Sequence, residues 1–425
     1  MTDIVKVLVR QQLKEKTIGT TMQVTIIRGR AIDPAIRKVC RCLAQNGYSV
    51  RLLVWDRQQN LTDVNSLEYT VDKFNLRAPY DKLSAAFYLP LWWIYQLYYL
   101  LKHHADVIHA CDFDTLFPAI LVKILKRTKF CYTIYDFYAD NLPTRVPAII
   151  RKVVAGMEKY GVGHTDALFL VDKARYAQVE GARINNLAYI YNTPPDVSEP
   201  HSPVTKSTGS VIENKTVFYA GALHEDRGLK QAIAAINEVP GVELILAGVG
   251  SIADYLGQIP FDREHSVRYL GWLPYEKVIQ YTLTADILFA FYNPAVPNNR
   301  YASPNKLFEA MMCGKPIVVN DNCSMADIVR EEDCGLVVPY GDVDAIKHAI
   351  HTLKNDPGMC KRFGENGRKA YETKYNWKIM EERLLKIYRG LDFEPSRADA
   401  TTGHVTTDSL SSIAEGDSPE ISQNG

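Results

Sequence analysis

Three segments place cationic or conformationally permissive residues where an anionic ligand could be held. The first is Gly248-Val249-Gly250-Ser251-Ile252-Ala253, directly after the apolar run Val242 to Ala247. It spells G-x-G-x-x-A, in which glycines let backbone amides approach a phosphate at a helix start. A dinucleotide site also needs an acid at the end of the next strand, to bind ribose. That strand, Val267 to Trp272, ends without one. A tight strand-to-helix turn, or a nucleotide other than NAD, suits the segment better.

The second segment runs from Tyr219 to Leu229. Gly221 ends a strand and opens space beside the backbone, and Arg227 is read as opening the next helix. A guanidinium fork near the positive end of a helix suits a diphosphate. A solvated arginine at a helix start is the plain alternative. The third segment is Tyr301 to Pro316. Ser303-Pro304 reads as a helix start, with proline in the first turn. Leu307, Ala310 and Met311 then form an apolar face, Lys306 and Glu309 share another stripe, and Gly314 closes the helix. Ser303, Asn305, Lys306 and Glu309 could grip phosphate and then ribose hydroxyls. The i,i+3 pair could equally be a surface ion pair.

The elements that must carry these residues follow from apolar patterning. Short runs rich in Val, Ile, Leu and Tyr alternate with helical stretches: 22–27, 50–55, 106–110, 130–135 and 167–171, then 216–220, 242–247, 267–270, 287–292, 316–319 and 336–338. Near-continuous apolar strands separated by helices imply parallel sheets covered on both faces. The fold class expected is α/β, with two tandem Rossmann-like doubly wound domains facing across a cleft. In such sheets ligands bind beyond the carboxyl ends of the strands. The expected boundaries are 20–192 for the first domain and 193–215 for a Pro/Ser/Thr-rich linker. The second domain takes 216–375, and a terminal helix at 376–391 packs back toward the first. Residues 392–425 form an acidic tail too poor in large apolar side chains to order.

The chain of 425 residues has no net charge. The balance is uneven: the first 200 residues are basic, the stretch to 391 is near neutral, and the tail is acidic. A uniformly basic nucleic-acid binder is thereby disfavoured, while the basic half suits a phosphate-bearing substrate or an anionic membrane surface. Of the eight cysteines none forms C-x-x-C, and free thiols in a reducing cytoplasm are expected. Met1 to Thr21 lacks the apolar core of a signal peptide.

Taken in order, Gly221…Arg227-Gly228-Leu229, Gly248-Val249-Gly250, Gly271-Trp272-Leu273-Pro274 and Pro304-Asn305-Lys306-Leu307-Phe308-Glu309 through Pro316 resemble the retaining glycosyltransferases of family 4, which have the GT-B fold. The first half agrees. Ile27-Arg28 through Asp33-Pro34-Ala35-Ile36-Arg37 is similar to that family's opening strand and helix. Asp106 to Leu116 and Tyr135 to Asp140 are similar to its acceptor-side strand ends. The resemblance spans roughly residues 22–390.

It implies a nucleotide-diphosphate sugar as co-substrate, no obligatory cofactor and no metal. Arg227 and Lys306 would neutralise the donor diphosphate. Ser303 to Asn305 would offer helix-start groups, and Glu309 would hold ribose. Gly221, Gly248 and Gly250 would border the nucleotide. On the acceptor side it implies Asp33 and Arg37 near substrate, with His109, Asp112 and Asp136 as catalytic candidates. Two departures stand out: Tyr301 occupies a place where the family often has a second Glu, and Cys111 one where it often has His. Asp112-Phe113-Asp114 spells a metal pair but lies in the acceptor half. The alternatives are a sugar-nucleotide epimerase or phosphorylase of the same fold, or a catalytically weak glycan- or nucleotide-binding scaffold.

One further segment stands apart. Residues 85–101 hold two Trp and four Tyr. The run is shorter than the roughly 20 residues of a membrane span. It reads either as a helix buried on a sheet or as a surface reaching toward lipid and a lipid-linked acceptor. Peripheral placement at the inner face of the cell membrane follows from the second reading.

Overall fold

The computed structural model describes residues 21–392, apart from 31, 60, 62–67, 80–83, 85–86, 144, 197–213, 259–265 and 303. Ser303, most of the expected linker and the acidic tail therefore lie outside the described residues.

The first lobe is built in the order β1 (Gln23–Arg28), α1 (Pro34–Gln45), β2 (Ser49–Trp55), β3 (Thr70–Phe74), α2 (Leu89–Lys102), β4 (Val107–Cys111), α3 (Leu116–Lys126), β5 (Lys129–Ile134), α4 (Tyr138–Asn141), α5 (Ala148–Val162), β6 (Ala167–Leu170), α6 (Tyr176–Val179) and β7 (Leu187–Tyr189). Its seven strands lie in the order β3-β2-β1-β4-β5-β6-β7 and every pairing is parallel. The second lobe has β8 (Lys215–Ala222), α7 (Leu229–Asn237), β9 (Val242–Val249), α8 (Ala253–Gly257), β10 (Val267–Tyr269), α9 (Tyr275–Thr284), β11 (Ile287–Ala290), α10 (Asn305–Met312), β12 (Ile317–Asn320), α11 (Ser324–Glu331), β13 (Gly335–Val338), α12 (Val343–Asn355) and α13 (Pro357–Ala370). Its six strands run β10-β9-β8-β11-β12-β13, also all parallel. A single π-helical turn, Tyr371–Tyr375, leads into α14 (Trp377–Asp392).

Alternation along β1 shows why the first sheet needs two helix layers. Ile26 joins one cluster with Ile36 and Val39 of α1 and with Tyr388 of α14. Its neighbour Ile27 joins another with Trp92 of α2, Ala119 of α3 and Val162 of α5. Successive side chains point to opposite faces, so each face must be covered. The last helix thus crosses back from the second lobe and closes one face of the first.

Local rules fix several ends. Asp33 caps α1, accepting from the Ile36 amide at 3.0 Å. Asp356 caps α13 ahead of Pro357, accepting from the Met359 amide at 2.8 Å. Both are side-chain caps of orphan helix amides. Gly314 follows α10 with φ of +62°, a left-handed turn that favours glycine. Two local readings are corrected. Pro304 is the residue before α10, which begins at Asn305. Arg227 lies on a separate 3-10 turn, Glu225–Arg227, and Gly228 at φ +60° divides it from α7.

Candidate functional site

The carboxyl ends of β8 and β9 set the donor-side geometry. Gly221 has φ +149°, and a Cβ there would lie 2.3 Å from Lys306 Nζ. The missing side chain is what lets the ammonium sit against the strand end. Lys306 also lies over the Tyr219 ring, 4.8 Å from its centroid. Burial works against its charge, but Tyr219, Tyr292 and Glu309 nearby raise its pKa, so the ammonium stays protonated at neutral pH. Among the described residues no hydrogen bond or carboxylate pairs with it. Lys306 is half-buried, and a cation there without a carboxylate partner is free to meet an anion.

Glu309 follows one turn along α10 and is buried. Burial pushes its pKa up, while Lys306, a hydrogen bond with Tyr275 and Lys38 oppose that shift. Arg227 approaches from the turn after β8. Its guanidinium stacks 3.9 Å over the Tyr292 ring and donates to Asp226 at 2.7 Å. It is close enough to Lys306 for the two charges to repel. Asn305 Oδ1, at the start of α10, is buried and accepts no hydrogen bond among the described residues. The structure therefore brings Gly221, Arg227, Asn305, Lys306 and Glu309 together.

Gly248 and Gly250 answer first to backbone packing. A Cβ on Gly248 would lie 1.8 Å from Gly221 O, and one on Gly250 2.2 Å from Leu223 O. Strand ends β8 and β9 approach too closely for any side chain. The helix after this turn has only five residues.

On the facing lobe, Asp112 ends β4 with φ of +65°. Its Oδ1 accepts from the amides of Tyr135 at 2.9 Å and Asp136 at 3.2 Å, and Arg28 stands 3.6 Å from Oδ2. Burial raises its pKa against the pull of Arg28 and Arg30. Asp136 titrates the other way. Burial resists, but Arg175, Arg30 and the bond from Asn298 lower its pKa. Asp114 turns to Arg57 at 3.3 Å, so the two acids of the Asp-x-Asp segment address different arginines.

Three sequence-based candidates take other places. His109 is in the core: Nδ1 meets Tyr388 OH at 2.7 Å, Nε2 meets Thr133 Oγ1 at 2.6 Å, and Phe169 stacks at 5.2 Å. Burial lowers its pKa to about 3. With both nitrogens committed and no exposure to the cleft, the catalytic expectation for His109 is corrected to a packing one. Asp33 is the cap of α1 and pairs with Arg28. Arg37 points outward from α1, near Tyr69. Cys111, two residues beyond His109 on β4, is wholly buried.

Two residues escaped the sequence reading. Lys38 of α1 donates to Asn192 Oδ1 at 3.1 Å and to the Thr193 carbonyl, and lies 4.7 Å over the Trp377 ring. Burial lowers its pKa to about 8, with Glu309 opposing. Asn298, on the 3-10 turn Pro297–Tyr301, bridges to Asp136 at 2.8 Å and to Arg175 at 3.0 Å. The Asn298 contacts depend on the two lobes meeting, and those of Lys38 on the end of the first lobe and α14 folding back on α1, which no local spacing reveals.

Residues 205–370 match the family described as Glycosyl transferases group 1. The second lobe carries a group 1 glycosyltransferase domain. A mannosyltransferase of Corynebacterium glutamicum, described as GDP-mannose-dependent and acting on monoacylated phosphatidylinositol monomannoside, is 28% identical over 201 residues. That match covers 45% of this chain and about half, 52%, of the relative. Among solved structures, sucrose-phosphate synthase of Thermosynechococcus elongatus aligns with TM-score 0.68 at 19% identity, over 87% of this chain and 99% of that one. Anabaena HepE in complex with UDP and glucose aligns with TM-score 0.65 at 15% identity, over 87% and 100%. At such identities these likenesses establish the two-lobed GT-B fold of this chain.

Proposed function

We propose that the protein transfers a sugar, with retention of configuration, from a nucleotide-diphosphate sugar to a lipid-linked or cell-surface glycan acceptor. The observation that carries this reading is Lys306: an ammonium seated against Gly221, without a carboxylate partner among the described residues, one turn from Glu309 and facing Arg227. A diphosphate supplies the missing negative charge. Arg227 and the start of α10 add positive potential where charge grows as the sugar leaves. Glu309, held by Tyr275, grips ribose hydroxyls. The departing phosphate oxygen takes the proton of the acceptor hydroxyl on the same sugar face. Asp136, kept ionised by Arg175 and Arg30, orients that hydroxyl from the other lobe. Residues 20–192 then act as the acceptor lobe and 216–375 as the donor lobe, with the terminal helix tying them together.

Support for a nucleotide sugar also comes from the GDP-mannose named for the Corynebacterium relative and the UDP held by HepE. The test is a thermal-shift series with UDP, GDP, ADP and their sugars. A ligand at about 100 times its Kd should add about 2.7 kcal/mol of stability. Lys306→Ala and Glu309→Gln should remove the shift with the fold intact. A nucleotide shift that survives both substitutions would sink the assignment.

A further inference from the structure

The helix layer α2–α3–α5 covers one face of the first sheet, yet its outer side is apolar as well. On α2 and the turn before it, Phe87, Leu91, Ile94, Tyr98 and Leu101 recur at spacings of four and three, and each is exposed, Phe87 by 83% and Ile94 by 66%. On α3 the exposed stripe is Leu121, Ile124 and Leu125. On α5 it is Ile149, Ile150, Val153, Met157 and Tyr160. α2 packs on α3 and α3 on α5, so the stripes adjoin. Most large apolar side chains left exposed among the described residues lie on this one layer. A contiguous patch of this kind marks an interaction surface.

Charge identifies the occupant. The three helices carry six bases, Lys102, Lys123, Lys126, Arg151, Lys152 and Lys159, and a single acid, Glu158. Glu158 is buried, accepting from Tyr132 OH and the Tyr138 amide. Lys123 is paired with Asp166 at 2.7 Å, and the other five bases have no carboxylate partner among the described residues. A second copy would bring basic faces together and be repelled. No helix among the described residues is long and apolar enough to cross a membrane. Apolar stripes between bases, with tyrosines among them, suit the interface of an anionic bilayer.

We infer that the outer side of α2, α3 and α5 docks this protein on an anionic lipid bilayer. The inference deepens the lipid-linked acceptor reading and rests on it for its purpose: the docked lobe is the one that carries Asp112 and Asp136. Docking itself needs no donor chemistry, so the two can fail separately.

The test uses the full chain and phosphatidylcholine vesicles with or without phosphatidylglycerol. Co-sedimentation is expected with the anionic vesicles and should weaken as salt rises. Ile94→Asp/Ile124→Asp/Val153→Asp, one change per helix, should abolish it while leaving nucleotide thermal shifts unchanged. Lys102→Glu/Lys152→Glu should weaken anionic binding by about tenfold or more. This exposed pair decides the matter if the triple variant does not fold. Absence of binding to anionic vesicles, equal binding to neutral ones, or a wild-type dimer that the variants dissociate would each overturn the inference. Vesicle binding without any nucleotide shift would instead overturn the donor-site reading alone.

Discussion

Asn298 Nδ2 donates to Asp136 Oδ1 at 2.8 Å, and the two residues belong to different lobes. Asn298 also accepts from Arg175 at 3.0 Å, so one amide serves both partners of an ion pair across the cleft. Nothing at this contact depends on propensity or periodicity. It exists because the turn before α10 meets the ends of β5 and β6.

The first prediction concerns this contact. A hydrogen bond to a charged group is worth about 1.5–3 kcal/mol. Asn298→Ala should lower kcat/KM by roughly tenfold or more by loosening lobe closure. A double-mutant cycle with Asp136→Asn should return a coupling of about 1 kcal/mol or more. Additive effects would mean that the amide and the carboxylate act independently.

The glycines separate binding from folding. At Gly221 an added methyl meets the flexible end of Lys306, whereas at Gly250 it meets the Leu223 carbonyl backbone at 2.2 Å. Both positions have positive φ, and such strain costs about 1–3 kcal/mol. Gly250→Ala should therefore lower Tm further than Gly221→Ala. Gly221→Ala should weaken nucleotide binding beyond its effect on Tm, because it displaces the ammonium. Calorimetric titration with UDP and GDP beside melting curves checks the contrast.

Much of the architecture was legible because apolar runs and helix ends are local. The strand β8 came from the run at 216–220, and the helix α10 from the apolar face Leu307, Ala310 and Met311 closed by Gly314, though it begins at Asn305 rather than at Ser303-Pro304. The edge strands β3 and β7 did not. Thr70–Phe74 carries Asp72 and Lys73, is only partly buried and lacks the apolar run of a central strand, and Leu187–Tyr189 is only three residues long. In the site, Lys306 and Glu309 were legible because they share one helix. Lys38 and Asn298 were not, because their partners are distant in sequence: Asn192, Thr193 and Trp377 for Lys38, and two residues of the other lobe for Asn298. His109 was misplaced for a related reason. Strand alternation correctly puts it on one side with Cys111, but only the return of α14 turns that side into core.

His109 offers the third prediction. Its pKa falls to about 3 in the folded protein through burial, against 6.5 for an ordinary histidine. The unfolded chain then binds the extra proton first. This contribution to stability is complete above pH 6.5 and is lost as pH falls from there toward 3. His109→Gln should lower Tm at pH 7.5 and flatten the acid limb of the stability curve. Turnover per folded molecule should stay within about twofold, since no ionisation of His109 falls in the working range. A loss of kcat without loss of Tm would return it to the catalytic set.

Glu158 gives the last prediction, with the opposite sign. Burial raises its pKa to about 8 even though Tyr132 OH, at 2.9 Å, and the Tyr138 amide, at 3.0 Å, favour its ionised form. The unfolded carboxyl ionises near its ordinary value of 4.5, and the folded one does so later. Stability from this group is therefore fully present below pH 4.5 and declines as pH rises toward 8. Glutamine in its place can accept from the Tyr138 amide and donate to the Tyr132 hydroxyl without carrying charge. Glu158→Gln should accordingly raise Tm at pH 8 and bring little or no gain at pH 4.5. Melting curves of both proteins across that range measure the difference directly. A gain independent of pH would show that packing, not the buried charge, sets the cost of Glu158.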